Sequence, residues 1–210
     1  MSCEIKKIQK YLEKVNLTFA PSSTIIVCSD SKGRYIRPHI PPQYRQIVQW
    51  HVKSGRTTEE GIRYLEREIP NFSRHHGQIV ILFWHGTCDV TKKIGPHIYL
   101  KHKKEADATD YWHPKYSRLV EILSSYPTIK LAILEIPPIS TKIWNKMHGH
   151  DSWEIIDDEE VNKQVHLHNE IVQEVNASLN FNFISPKVQN GLLKSNKRKS
   201  YSKEKKKALY

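Results

Sequence analysis

The chain has 210 residues, 38% of them hydrophobic, and a formal net charge of +11 at pH 7. This length suits a single α/β domain with room for a full hydrophobic core. No apolar run approaches the length of a membrane span and residues 1–20 are too charged for a signal peptide, so we expect a soluble intracellular protein with no membrane partner.

The predicted elements alternate between helix and strand along the chain. Apolar residues at helical spacing predict an N-terminal helix over 4–15, which with its linker occupies residues 1–22. Short β-branched or apolar runs predict strands over 24–28, 46–52, 79–84, 129–136 and 181–184. Further helices are predicted over 57–69, 111–125 and 157–179. This alternation indicates a parallel sheet covered on both faces, within a domain that spans residues 23–190.

Two of these helices have more specific signals. The helix that begins near Thr57 is predicted to end at Pro70, because proline lacks the N–H that a helix interior needs. The helix over 157–179 has apolar positions in steps of four and three, which predicts an inward-facing stripe. The members of that stripe are Val161, Val165, His168, Val172 and Val175.

Most of the positive charge lies at the C-terminus. Between Lys187 and Tyr210 nine basic residues and one acidic residue leave a net charge of +8, and the rest of the chain carries +3. Residues 191–210 are poor in large apolar side chains, so we expect a disordered basic tail. Its clusters fit phosphate binding or a nuclear-import signal, with a solvated tail without a dedicated partner as the alternative. They comprise Lys197, Arg198, Lys199, Lys205, Lys206 and Lys207.

Neither a disulfide framework nor a metal centre is indicated. Cys3, Cys28 and Cys88 are odd in number and widely separated, so we expect free thiols. The two His-x-His pairs at 148–150 and 166–168 have no carboxylate-rich cage, and side chains at i and i+2 of a helix diverge. We therefore expect no metal and no other cofactor.

Polar residues follow the first three predicted strands at the point where each strand ends. Open α/β sheets place their ligand sites at this carboxyl edge. The alternative for the first block is an ordinary Ser/Asp/Gly turn that caps a helix. The blocks are Ser29-Asp30-Ser31, Ser54-Gly55-Arg56-Thr57 and His85-Gly86-Thr87-Cys88-Asp89.

These three blocks, in this order, resemble the first three sequence blocks of the SGNH (GDSL-like) hydrolases. Members of that family have Gly-Asp-Ser, a Gly and Gly-x-Asn-Asp at these places. The resemblance covers residues 24–187, and residues 162–176 also resemble the late helix of that fold. It implies a three-layer α/β/α flavodoxin-like fold with about five parallel strands.

The resemblance also implies a catalytic set. Ser31 is the expected nucleophile, and its amide and that of Gly55 are expected to donate to the oxyanion. Asp30 and Asp89 stand at family positions. The Asn of the third block is replaced here by Cys88, whose thiol donates weakly. Losing an oxyanion donor of this kind costs on the order of 3 kcal/mol of transition-state stabilisation.

The block that supplies the family's Asp and His is missing from this sequence. No Asp follows Asp158 and no His follows His168, so either the sequence stops short of an Asp-x-x-His block or the fold has been kept without the hydrolytic role. Asp110 and His113 have the spacing of that block. Because they precede the fourth strand instead of following the last, they form only a weak candidate for a substitute dyad.

Two functions of different classes fit the sequence. The first is an SGNH-type serine esterase of the sort found in retrotransposon-encoded proteins, with a small ester as substrate. The second is a non-catalytic SGNH-like module that binds RNA, similar to the C-terminal domain of the germ-plasm protein Oskar. Cys88 and the missing dyad favour the second, while Ser31, Gly55 and Asp89 favour the first. We expect a cytoplasmic protein that also enters the nucleus if the basic tail is an import signal. The phosphate contacts expected of an RNA-binding module are Arg34, Arg37, Arg45, Lys53, Arg56 and the basic tail.

Overall fold

The computed structural model describes residues 23–75, 77–95, 97–101, 105–149 and 158–179. Within these residues four parallel strands form a sheet in the order β2-β1-β3-β6. This confirms the predicted parallel α/β fold, since it matches the first four strands of the flavodoxin-like order. The predicted N-terminal helix, fifth strand and basic tail lie outside the described residues. The four strands are β1 (Ser23–Ser29), β2 (Val48–Val52), β3 (Gln78–Trp84) and β6 (Ile129–Ile133).

The carboxyl ends of the first three strands lie at one level. Ser29, the last residue of β1, pairs with Val52, the last residue of β2. Ser29 also pairs with Trp84, the last residue of β3. The loops after these strands therefore leave the sheet from the same edge.

One face of the sheet is covered by three long helices. Their buried residues form a single cluster with the inward side chains of the strands, among them Ile26, Ile81 and Ile133. The other face has buried side chains as well, including Ile25 and Val80. None of the described helices is long and apolar enough to cross a membrane. The described helices are α1 (Ser31–Ile36), α2 (Thr58–His75), α3 (Thr87–Val90), α4 (Glu105–Ser124), α5 (Thr141–Met147) and α6 (Asp158–Ser178).

The sequence pattern predicts neither the short helices α1, α3 and α5 nor a hairpin that follows β3. A hairpin of β4 (Thr91–Ile94) and β5 (His97–Leu100) forms a separate antiparallel sheet. Its strands are only four residues long and half-buried or exposed, so they lack the apolar run that predicts a strand. The hairpin packs on α5, where the amide of Ile98 donates to Asn145 Oδ1 at 3.0 Å.

The prediction that α2 ends at Pro70 is wrong, because the helix continues to His75. Proline removes the hydrogen bond to the carbonyl of Glu66, but both residues are exposed, so that carbonyl can bind water. The next turn buries Phe72, which is 7% exposed. Apolar burial on the inner side of the helix outweighs the cost of proline on the outer side.

The prediction for the inward stripe of α6 is confirmed. Val161, Val165, His168 and Val172 are buried, and Val175 is half-buried against the core. The stripe lies against α4, the helix with which α6 has its main contact.

A row of asparagines on α6 forms hydrogen bonds with the end of β6 and the chain that follows it. We call this row the asparagine seam. Each side-chain amide accepts from the backbone N–H and donates to the backbone C=O of one isoleucine, at 2.8 to 3.0 Å. Seven helical residues rise about 10.5 Å and three extended residues span about 10 Å, so the two repeats stay in register. The pairs are Asn162 with Ile139, Asn169 with Ile136, and Asn176 with Ile133.

Asp158 continues this seam at the start of α6. Its carboxylate accepts hydrogen bonds from the Ser140 hydroxyl, the Thr141 amide and hydroxyl, and the Lys142 amide. Partial burial opposes ionisation, but these hydrogen bonds outweigh it and lower the pKa of Asp158. The segment from β6 to α5 is thus bound along its length by one helix.

Replacing Asn169, the most buried member of the seam, tests how much this contact stabilises the fold. Asn169→Ala removes two buried hydrogen bonds to Ile136, each worth about 1 to 2 kcal/mol in such a setting. We expect urea denaturation to show a loss of about 2 to 4 kcal/mol in the free energy of unfolding. The control Glu170→Ala removes an exposed pair with His166 and should cost less than about 1 kcal/mol. Equal effects of the two substitutions would contradict a stabilising seam.

Candidate active site

The loops after β1 and β3 meet at the carboxyl edge of the sheet. Lys32 joins them, because its Nζ lies 2.5 Å from Asp30 Oδ2 and 2.6 Å from Thr87 Oγ1. The first and third sequence blocks are therefore in direct contact across 55 residues of chain. Lys32 is not recognisable as a site residue from the sequence, since nothing local distinguishes it from a surface lysine.

The turn after β1 places Ser31 at the start of α1. Asp30 is fully buried and caps this helix, with its Oδ1 accepting from the Lys32 amide at 3.0 Å. Ser29, which the resemblance sets in place of a glycine, is buried, and its hydroxyl accepts from the amide of Gly33 at 3.2 Å. Ser31 is half-buried, and no described residue forms a hydrogen bond with its hydroxyl.

The second block contributes an exposed glycine. Gly55 has a φ of 76°, a conformation that favours glycine, and its backbone lies open to solvent. The amide of Lys53 donates to the carbonyl of Ser29 at 3.1 Å, which ties this loop to the end of β1. The backbone at Gly55 is thus held beside the first block and remains accessible.

Arg56 points inward instead of toward solvent. It is 9% exposed, and its Nη1 approaches Cys28 Sγ at 3.7 Å and the carbonyl oxygen of His51 at 3.5 Å. Its guanidinium also lies over the Tyr64 ring, 4.5 Å from the centroid. A buried guanidinium does not fit the predicted role of Arg56 as a phosphate contact. The loop after β2 directs this side chain toward Cys28 and His51 instead of toward solvent.

The third block is packed tightly on two helices. Gly86 has a φ of 119°, and a Cβ there would lie 2.6 Å from His168 Nε2, so both conformation and space require glycine. Asp89 is fully buried and accepts from the Thr58 amide at 2.8 Å, the Thr58 hydroxyl at 2.7 Å and the Tyr111 hydroxyl at 2.7 Å. Asp89 therefore positions the block against α2 and α4.

Cys88, which the resemblance to the SGNH hydrolases sets in place of an Asn, is half-buried. Burial, assisted by the Asp30 charge, raises the pKa of its thiol to about 11, although Lys32 acts in the opposite direction. The thiol is therefore protonated at pH 7 and offers only a weak hydrogen bond.

Two histidines lie beneath the site and are both fully buried. His85 Nε2 lies 3.5 Å from Cys28 Sγ, and His168 Nε2 lies 2.6 Å from the Tyr116 hydroxyl. Burial lowers the pKa of His85 to about 3 and that of His168 to about 4, with the Lys32 charge contributing to both shifts. Both rings are therefore neutral at pH 7.

The structure does not assemble the candidate dyad. His113 lies on α4 with its Nε2 3.8 Å from Glu174 Oε2 on α6. Asp110 is exposed on the same helix, and no hydrogen bond joins it to His113 within the described part of the chain.

Two of the basic residues predicted to contact nucleic acid are exposed: Arg34 lies on α1 and Arg37 directly follows it. The basic tail lies outside the described residues.

No protein-family model matches this chain, and no curated protein matches it in sequence. Similar solved structures include a GDSL-like lipase from Bacteroides thetaiotaomicron, with 15% identity, a TM-score of 0.43, and coverage of 92% of this chain and 74% of the lipase. The acetyl xylan esterase AlAXEase has 15% identity and a TM-score of 0.47, with 83% and 84% covered. A family 3 carbohydrate esterase from Clostridium thermocellum has 15% identity and a TM-score of 0.39, with 75% of each chain covered. At this identity the likeness concerns the fold alone.

The two buried histidines predict a specific dependence of stability on pH. Below the ordinary pKa near 6.5 an unfolded histidine binds a proton, whereas folded His85 and His168 bind one only near pH 3 and pH 4. The unfolded state therefore binds more protons, and stability falls as the pH drops from 6 to 5, by about 1.4 kcal/mol per pH unit for each histidine. Urea denaturation across this range measures the slope.

Two matched variants test whether His168 causes part of this pH dependence of stability. His168→Gln should lower the slope by about 1.4 kcal/mol per pH unit, because one fully buried titrating group is removed. His166→Gln, on the exposed face of the same helix, should leave it unchanged. An unchanged slope in His168→Gln would show that His168 is not held neutral.

Proposed function

We propose that this chain is an SGNH-type serine esterase domain in which Ser31 is the nucleophile and a small ester is the substrate. The observation that supports this most is the contact of Lys32 with both Asp30 and Thr87, because it brings the first and third blocks together. The second block lies next to them because the residue before it, Lys53, donates a backbone hydrogen bond to the carbonyl of Ser29. Ser31 is half-buried at the junction of these loops, and an accessible serine hydroxyl suits acyl transfer.

The proposed chemistry needs a nucleophile and donors for the oxyanion. Ser31 Oγ attacks the carbonyl carbon of the ester and its proton passes to water, while the amides of Ser31 and Gly55 donate to the oxygen that becomes negative. The ester C–O bond then breaks, the alcohol leaves, and water hydrolyses the acyl-serine. The positive φ of Gly55 and its open surroundings leave its amide free to face a substrate. Asp30 shapes the turn by capping α1, and Asp89 holds the third block against its helices.

We infer that turnover is slow, because no described residue is placed to accept the proton of Ser31. His85 and His168 are neutral but fully buried and bonded to Cys28 and Tyr116. In serine proteases, removal of triad members leaves about 10³ to 10⁴ of the acceleration over water, from the oxyanion hole and binding. We expect activity in that residual range.

Hydrolysis of p-nitrophenyl acetate tests this function. The purified chain should release p-nitrophenol weakly but above the background, and Ser31→Ala should lose the part of the excess that passes through a Ser31 acyl-enzyme. Ser117→Ala, which removes an exposed hydroxyl on α4, should leave it unchanged. Equal rates in the wild type and Ser31→Ala would refute the nucleophile, and brisk Ser31-dependent hydrolysis would show that a working base is present.

A second candidate is an SGNH-like module that binds RNA, of the kind represented by the C-terminal domain of Oskar. It is favoured by the segment from Ser31 to Thr58, which has six Lys or Arg residues and no acid. Arg34, Arg37, Arg45 and Lys53 are exposed there, and Tyr35 is 71% exposed. Exposed cations near an aromatic ring suit the phosphates and bases of a single strand.

Binding of single-stranded RNA, followed by fluorescence anisotropy from 50 to 200 mM salt, tests this candidate. Affinity should fall with salt by a logarithmic slope of about 0.7 for each phosphate neutralised. Glutamine substitution of the six basic tail residues should remove most of the affinity, whereas the double substitution of Arg34→Ala and Arg37→Ala should remove less. The six tail residues are Lys197, Arg198, Lys199, Lys205, Lys206 and Lys207. Salt-independent binding by the tail variant would contradict this ordering.

A further inference from the structure

The ammonium group of Lys32 lies between the residues that flank the proposed reaction centre. Its Nζ is 2.5 Å from Asp30 Oδ2 and 2.6 Å from Thr87 Oγ1. Asp30 immediately precedes Ser31, and Thr87 immediately precedes Cys88. The Lys32 side chain is only 13% exposed, so the group has a defined place at the junction of the two loops.

One N–H of this group remains available. An ammonium has three N–H donors, and Asp30 and Thr87 accept two of them. No other described residue accepts a hydrogen bond from Nζ. The Trp84 ring, 5.5 Å from Nζ, closes one side of the group. The third donor is therefore open to an acceptor that enters at this edge of the sheet.

The site lacks a strong donor at this point. Cys88 stands where the resembling family has Asn, and its neutral thiol donates weakly. A charged donor forms a hydrogen bond about twice as strong as a neutral one. Burial lowers the pKa of Lys32, but the adjacent Asp30 carboxylate opposes that shift and favours the protonated amine.

We infer that Lys32 replaces the missing amide of the third block as the donor that stabilises the oxyanion formed at Ser31. This inference rests on the proposed esterase function. When Ser31 Oγ bonds to the carbonyl carbon, the π pair of the C=O bond moves to the oxygen. Lys32 donates a hydrogen bond to that oxygen and keeps its own proton, while the Ser31 proton passes to water. The pair then returns to carbon as the ester C–O bond breaks, the alcohol leaves with a proton from water, and a second water hydrolyses the acyl-serine.

A fluorophosphonate probe tests the inference, because phosphonylation of a serine also places negative charge on an oxygen that the same donors stabilise. Ser31 Oγ bonds to phosphorus, the P–F bond breaks, fluoride leaves and the serine proton passes to water. The full chain is treated with a fluorescent fluorophosphonate, the modified residue is located by mass spectrometry, and kinact and KI are measured. Ser31→Ala gives the background.

Four variants separate donation from structural support. Lys32→Met removes the donor at similar volume, and Asp30→Asn with Lys32→Met removes it without leaving a buried carboxylate unpaired. Lys32→Arg keeps a charged donor. Lys92→Met removes an exposed lysine of the hairpin as a control. We expect both Met variants to have a kinact lower by about 10²-fold with KI unchanged. Lys32→Arg should recover most of the loss, and Lys92→Met should match the wild type.

Three other outcomes would contradict either the role of Lys32 or the role of Ser31. Equal kinact in the wild type and the Met variants would overturn the role of Lys32 and leave Ser31 as the nucleophile. A Lys32→Arg variant as slow as the Met variants would overturn it too, since packing would then be the cause. Absence of wild-type labelling at Ser31 above the Ser31→Ala background would remove the proposed esterase function and this inference with it.

Discussion

The asparagine seam is the constraint on which the candidate site depends, because it fixes α6 against the chain after β6. α6 includes His168, whose Nε2 fills the space that a Cβ at Gly86 would need. The loop after β3 and the helix are therefore fitted to each other. The seam works because seven helical residues and three extended residues cover nearly the same distance, so each asparagine meets the backbone of a new isoleucine.

The buried charges at the edge of the sheet position the loops of the site more than they stabilise the fold. Burying Lys32 and Asp30 removes both from water, and such a pair often contributes little net stability. Its structural effect is the contact with Thr87, which links loops that are far apart in the chain. Asp89 similarly joins the third block to Thr58 and Tyr111. The loops of the site are thus fixed by buried polar contacts, while Ser31 itself remains half-buried.

The sequence predicted the features that depend on local pattern. The apolar runs located β1 and β3 to within a residue or two, and the stripe of α6 followed from helical spacing. The meeting of the first and third blocks followed from the geometry of parallel strands. By contrast, the seam could not be predicted, because the partners of its asparagines are backbone groups of a segment whose path is not evident in sequence. The burial of Lys32 and Arg56 could not be predicted for the same reason, since tertiary contacts decide that their charges are buried.

In the proposed site, Ser31 and Lys32 face one reaction centre at the carboxyl edge of the sheet. A crystal structure of the full chain carrying a methylphosphonyl group on Ser31 Oγ tests this placement most directly. We expect a phosphonyl oxygen about 2.7 to 3.1 Å from Lys32 Nζ, with the amide of Gly55 donating to the same oxygen. A phosphonyl oxygen that points into solvent, with Lys32 contacting only Asp30 and Thr87, would contradict this placement.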